Sequence, residues 1–399
     1  MEERNNQFWK GVLAGALGVV LILTLLIRSD VSPVFIGRGI LGKAETVEKL
    51  ETLEHAIDTW YLEPVDKEKM ADWLYYGMVA GLEDPYSRYY NAEEYAKENE
   101  INDGAYVGIG VEIRQTDDGV EVAKCYEGAP ADLAGVRAGD LLLAIDGEDV
   151  TDRTSAEVAS LIRQQGKEEV ILTLRREGEK EPLEIPVAVT SITIPDVSGR
   201  MLQDQIGYMA ISGFTNGTPD QFIETYARLE EEGMDKLIVD LRDNPGGLLE
   251  SVCKILEEIL PEGLIVYTED KYGTRKEWTC SGEHPLDIPL VVLVNQDTAS
   301  AAEIFTGAVK DYGIGTVVGT TTFGKGIVQS LMGLGDGSAL QLTTAYYYTP
   351  NGVNIHKKGI EPDVTVEADE GLTGDSEYTD EQDNQLQEAI RILQNKEVI

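Results

Sequence analysis

The sequence predicts a multidomain protein of mixed α/β and α+β class, and three patterns support that prediction. Residues 192–369 alternate strand-like and helix-like segments, as expected of a sheet covered by helices. Residues 105–189 read as short strands around one helix, and residues 45–98 read as mostly helical. Ahead of them lies one uninterrupted apolar stretch, 11–27, which adds an N-terminal membrane helix to the architecture.

The apolar stretch (GVLAGALGVVLILTLLI) follows Trp9 and Lys10 and precedes Arg28. At 1.5 Å per residue it is about 25 Å long, slightly short of a hydrocarbon core. No small-x-small cleavage site follows, so an uncleaved anchor is expected rather than a signal peptide. Arg4 and Lys10 are balanced by Arg28, Arg38 and Lys43, which leaves the orientation undecided. In the helical region Val47, Leu50, Leu53, Ile57 and Trp60 share one stripe, and Met70, Trp73, Leu74 and Met78 another. Asp84-Pro85-Tyr86 breaks that pattern. Farther on, 206–214, 237–242 and 289–294 read as strands, and 219–231, 248–259 and 301–310 as helices. An acidic tract, 367–383, precedes a last helix, 384–393, with Leu386, Ala389, Ile390 and Leu393 on one face, suited to packing or to a dimer. The expected divisions are a stub and anchor at 1–30, a helical region at 31–104, a small module at 105–190, a core at 191–369 and a tail at 370–399.

Lys+Arg 33 against Asp+Glu 72 leaves a formal charge of −39, which argues against binding nucleic acid or an anionic membrane face. Cys125, Cys253 and Cys280 lack metal-ligand spacing, and their odd number speaks against a disulfide framework; a single bridge stays open. His55, His284 and His356 are scattered, which disfavours an imidazole-based triad. No metal or cofactor is implied.

Ser300 follows an apolar strand and opens a helix, where unpaired N–H groups and the helix dipole can stabilise an oxyanion. Most serines so placed are caps, but Asp297 and Thr298 already supply capping chemistry. Lys325 lies between Gly324 and Gly326, on a segment too rich in glycine to be chosen for packing. A lysine replaces histidine as general base when burial brings its pKa from about 10.4 toward neutrality, at a desolvation cost of about 4 kcal/mol. Gln329, four residues on, would share a strand face with Lys325 and hold the amine by a neutral hydrogen bond. Gly246 and Gly247 sit between a strand and a helix, where an N–H of either could meet that of Ala301 in an oxyanion hole. A plain glycine turn is the competing reading. Ser251-Val252-Cys253-Lys254 fits S-x-x-K, but its S-D-N and K-T-G companions are missing, so an ordinary helix is expected there. Asp311, near a helix C-terminus, suggests a supporting structural role.

D-T-A-S-A-A-E at 297–303, F-G-K-G-I-V-Q at 323–329 and D-L-R-D-N-P-G-G at 240–247 together resemble the carboxy-terminal processing peptidases, or tail-specific proteases. The resemblance implies a nucleophile at Ser300, a base at Lys325, a third member at Gln329 and a catalytic part outside the cytoplasm. Y-V-G-I-G-V at 106–111, with the turns at 128–131 and 138–147, resembles a PDZ domain of β-sandwich-like form. It implies that Gly108, Ile109, Gly110, Val111 and Ile113 receive a peptide's free carboxyl terminus as an added strand. The helical region resembles the family's N-terminal region, with dimer contacts and a simple packing collar equally open. The expected function is a membrane-anchored, extracytoplasmic serine endopeptidase, bacterial in type, that cleaves proteins near their C-termini and is recruited and gated by its PDZ domain. A homodimer and an activator protein stay open as partners. The alternative is a membrane-tethered PDZ adaptor on a peptidase-like scaffold, against which the intact Ser300, Lys325 and Gln329 speak.

Overall fold

Two compact units divide the chain, Met1–Tyr75 and Tyr76–Ile399, and the computed structural model describes residues 39–163, 166–369 and 379–395. The expected anchor at 11–27 lies outside the described residues, as does most of the acidic tract. Among the described residues no helix is long and apolar enough to cross a membrane. In the first unit the turn Ile40–Gly42 leads into the helix Ala44–Trp60 and then the start of the helix Lys67–Ala80. Its predicted stripe is uncovered: Val47, Leu53, Ile57 and Trp60 are all exposed.

In the second unit the helix Ala92–Asp103 begins at a capping box formed by Asn91 and Glu94 and stops at Gly104 in the left-handed conformation. The PDZ segment follows as an antiparallel sheet ordered Val111–Thr116, Gly119–Cys125, Leu141–Ile145, Glu169–Arg175, Leu183–Ala188. Val120, Val122, Val170, Leu172 and Leu174 point to one side and close a core with Val158 and Ile162 of the helix Ser155–Ile162.

The core holds a six-stranded sheet ordered Val197–Met201, Ile206–Ile211, Lys236–Asp240, Leu290–Val294, Gly315–Gly319, Val364–Thr365; the first pair is antiparallel and the rest parallel. Leu237, Val239, Leu290 and Val292 pack with the helices Thr218–Glu231, Leu249–Glu257 and Ala301–Tyr312. Ile238, Val291 and Leu293 face the other way, against Leu386, Ala389 and Leu393 of the helix Asn384–Asn395. Burial on both faces is why the run at 290–294 is apolar without alternation. The last helix is therefore a packing helix. A second, antiparallel sheet pairs Ile327–Gly333 with Ala339–Tyr348, which also takes Arg88–Tyr90 and Gly263–Asp270 as neighbours.

The strand predicted at 206–214 ends at Ile211, and Phe214 instead bridges the glycine turn, donating to Gly246 at 2.9 Å and accepting from Leu248 at 2.7 Å. Ser251 is buried within a helix, as expected of an ordinary S-x-x-K, and all three cysteines are free. Asp311 accepts the Asn351 N–H at 2.8 Å and so fastens a turn.

The last helix is locked by charge as well as by packing. Arg242 donates to both oxygens of Asp383, at 3.0 and 2.8 Å, and to both oxygens of Asp240, with all three side chains largely buried. Removing one partner of a buried pair leaves an uncompensated charge. Asp383→Ala is therefore expected to speed hydrogen exchange of the amides in 384–395 by about a hundredfold or more. Unchanged exchange would show that apolar packing alone holds the helix.

Candidate active site

Ser300 closes the turn between the strand Leu290–Val294 and the helix Ala301–Tyr312, with its backbone at φ 56°, ψ −116°. A residue bearing a side chain adopts such a conformation at a cost of about 1–3 kcal/mol, so its surroundings must enforce it. They do so from both sides: the Ser300 N–H donates to Glu303 at 2.9 Å, and its carbonyl accepts from the buried Tyr347 hydroxyl at 3.0 Å.

Glu303 is fully buried on the first turn of the helix and accepts four hydrogen bonds. One oxygen takes the Thr322 hydroxyl at 2.5 Å and the Gly324 N–H at 2.7 Å; the other takes the Lys325 N–H at 2.8 Å and that of Ser300. Burial pushes its carboxyl above the usual range, against the downward pull of these donors. A single carboxylate thus ties the predicted nucleophile to the loop that bears the predicted base.

That loop depends on Gly324, whose φ is +87° and where a Cβ would fall 2.8 Å from the Gly359 nitrogen. Lys325 lies in the loop, ahead of the strand Ile327–Gly333, so it does not share that strand with Gln329 as expected. Its side chain is half-buried. Burial lowers its pKa, and the carboxylates of Asp84 and Glu303, which pull upward, do not cancel the effect. Gln329 lines the same pocket, but its amide nitrogen donates to Thr343 Oγ1 at 3.2 Å, and among the described residues no hydrogen bond joins it to Lys325. The strand begins two residues after Lys325, and its pairing shifts register between Val328 and Gln329, so the expected alternation does not run from the lysine to the glutamine.

A pocket of about 280 Å³ brings together Ser300, Lys325, Gln329, Gly247 and Ala301. Leu248, Ile304 and Leu331 supply apolar wall, and Glu98 and Asn102 reach it from the helix Ala92–Asp103. Gly246 lies against the serine: at φ +103°, a Cβ there would fall 2.7 Å from Ser300 Cβ and 2.9 Å from the Ala301 nitrogen. Its own N–H, however, donates to Asn244 Oδ1 at 2.8 Å. Of the two glycines predicted for the oxyanion hole, Gly247 is the one whose N–H is not engaged in this way.

In the PDZ segment Gly108, Ile109, Val111 and Ile113 line a small groove with Ile162 and Arg163, while Gly110 turns the loop at φ +80°. Ile109 is itself part of the core. Arg163 stacks on Tyr106 and forms an ion pair with Glu100 at 3.7 Å.

Glu303, Tyr347 and Asn244 were not singled out from the sequence. For Glu303 the signal was present, since Ser300-Ala301-Ala302-Glu303 spells the S-x-x-E of a capping box. Tyr347 and Asn244 act through tertiary contacts that no local pattern encodes.

A strained serine tied to a half-buried lysine, beside glycine N–H groups and beyond the carboxyl end of a central strand of an α/β sheet, is the chemistry of a serine-type peptidase. The profile of peptidase family S41 matches residues 205–366, that of the PDZ domain 121–176, and that of the activating protease CtpB N-terminal domain 37–94. A carboxyl-terminal-processing protease of Synechocystis is 38% identical across 79% of this chain and 75% of its own length. A probable CtpA-like serine protease of Staphylococcus aureus is 33% identical across 87% of this chain and 72% of its own. A solved photosystem II D1 C-terminal processing protease is 28% identical, with a TM-score of 0.47 over 87% of this chain and 92% of that one. The chain belongs to the carboxyl-terminal-processing proteases of peptidase family S41.

Proposed function

We propose that this peptidase is anchored in the membrane by residues 11–27 and works on the extracytoplasmic side, cutting protein substrates near their carboxyl termini. The observation that carries the catalytic part is the sharing of Glu303 by Ser300 and the Lys325 loop within one pocket. Ser300 Oγ attacks the scissile carbonyl as the neutral Lys325 amine takes its proton. The N–H groups of Gly247 and Ala301 receive the oxyanion. The ammonium then returns the proton to the leaving amine, and a water, deprotonated by the same lysine, hydrolyses the acyl-enzyme. Gln329 orders the pocket wall through Thr343. Leu248, Ile304 and Leu331 favour an apolar substrate side chain beside the cut.

The PDZ groove recruits the free carboxyl terminus and gates the site. In support, the helix Ala92–Asp103 reaches both places: Glu100 pairs with Arg163 at the groove, and Glu98 and Asn102 line the Ser300 pocket. The exposed stripe of the helix Ala44–Trp60 suits a second copy or an activating protein.

The test incubates the full chain, in detergent, with an unstructured protein that ends in apolar residues, and identifies the products by mass spectrometry. Cleavage near the end is expected, slowed when the terminal carboxylate is amidated. Absence of cleavage on several such tails would favour the adaptor reading, and equal rates on free and amidated tails would remove carboxylate recruitment.

A further inference from the structure

The turn Asp84–Ser87, read from sequence only as a break in a helical pattern, supplies the surface on which the Lys325 amine rests. The ring of Tyr86 has its centroid 4.6 Å from Lys325 Nζ, within cation–π reach. The turn is internally braced, because Asp84 accepts the Tyr86 N–H at 3.1 Å and the Ser87 hydroxyl at 2.6 Å. It is also fastened to the strand Ala339–Tyr348: Gln341 donates to the Tyr86 carbonyl at 3.1 Å, and the Thr343 N–H donates to Ser87 Oγ at 3.1 Å. Thr343 is the residue that accepts from Gln329. Turn, strand and glutamine therefore form one connected wall beside the lysine.

The geometry points to the turn Asp84–Ser87 as a positioning element of the general base, with the Tyr86 ring fixing where the Lys325 amine lies and Asp84 bracing the turn that carries the ring. This rests on Lys325 being the base. The groups near the amine are Asp84 and the Tyr86 ring on the turn and Glu303 on the helix Ala301–Tyr312, and Glu98 lines the same pocket. Asp84, Glu303 and the aromatic face all favour the ammonium, whereas burial favours the amine. The turn thus seats the lysine for attack and restrains its deprotonation.

Two readouts on the full chain test this. Competitive acetylation of amines at varied pH, read by peptide mass spectrometry, follows the protonation of Lys325 without reference to activity. Asp84→Asn should move its midpoint to lower pH and move the acid limb of kcat/KM with it; no movement of the midpoint would overturn Asp84's part. Tyr86→Leu should lower kcat by roughly three- to thirtyfold with KM nearly unchanged, and Tyr86→Phe, which keeps the ring, should stay near wild type. If Phe falls as far as Leu, or Leu loses nothing, the ring is not the seat. Lys325→Ala in the same assay separates the two ideas: retained cleavage would remove the base assignment, whatever the labelling of Lys325 in the turn variants shows.

Discussion

Lys325→Ala is expected to lower kcat/KM by roughly ten-thousand-fold or more, Ser300→Ala to do the same, and the double variant to be no slower than either, because the two side chains act as a unit. Lys325→Arg should be as inactive as the alanine variant, since a guanidinium stays protonated and cannot accept the serine proton. The wild-type profile has a definite sign. Only the neutral amine is a base, so kcat/KM should rise with pH and level off above the lysine's folded-state pKa, which burial holds below the ordinary value of 10.5. Initial rates on a tail peptide across pH 5 to about 10 would measure the limb. A Lys325→Ala enzyme retaining more than a tenth of the activity would take the lysine out of the mechanism.

Glu303→Gln, ordinarily a mild change, should be severe. Each carboxylate oxygen accepts two donors: an amide nitrogen facing the Ser300 and Lys325 N–H groups would pair with neither, and one facing Thr322 and Gly324 could donate to the Thr322 hydroxyl but would still oppose the Gly324 N–H. One or two buried N–H groups are then left unpaired, at roughly 1–3 kcal/mol each. They also free either Ser300 and Lys325 or the turn at Gly324, so a loss in kcat of about a hundredfold or more is expected. The pH dependence follows from the raised carboxyl. With its folded pKa above the usual Glu value of 4.5, Glu303 supports the fold most fully below that pH and loses that support as the pH rises through the raised value. The glutamine variant lacks this slope. Thermal unfolding of both proteins between pH 4 and about 7, beside single-turnover rates, would check it; a variant with wild-type kcat would show that the four bonds serve only the fold.

Much of the core was readable because burial leaves periodic traces. The unalternating run at 290–294 lies between two helical layers, and Leu386, Ala389 and Leu393 recur at helix spacing because one face meets the sheet. That Ser300, Lys325 and Gln329 would share one pocket was legible for a different reason: a serine opening a helix and a lysine between two glycines stand out by residue type, and the motifs around them together resemble one family. What could not be read were roles created by chain segments far apart. Nothing local to Tyr347 says that its hydroxyl will hold the Ser300 carbonyl, and nothing local to Asp84-Pro85-Tyr86 says that the turn will meet Lys325. The Gln329 contact failed as a prediction of geometry because Lys325 precedes the strand that carries Gln329, and the pairing of that strand shifts register between Val328 and Gln329, so a period of two does not run from one residue to the other. The oxyanion pair was ambiguous for the same kind of reason, since only tertiary structure shows Asn244 taking the Gly246 N–H.

The pairing of Arg88–Tyr90 with Ala339–Tyr348 also bears on how the enzyme comes into being. Tyr90 and Gln341, hydrogen-bonded at 3.4 Å, are 251 positions apart in the chain. A peptidase whose cleft is stitched across such a span cannot assemble from a growing chain until its distal strand has been made, and long loop closure slows the step. Nascent chains would therefore emerge inert, and ribosome-bound fragments lacking the strand at 339–348 should neither cleave themselves nor damage their neighbours. Timing is thereby built into connectivity.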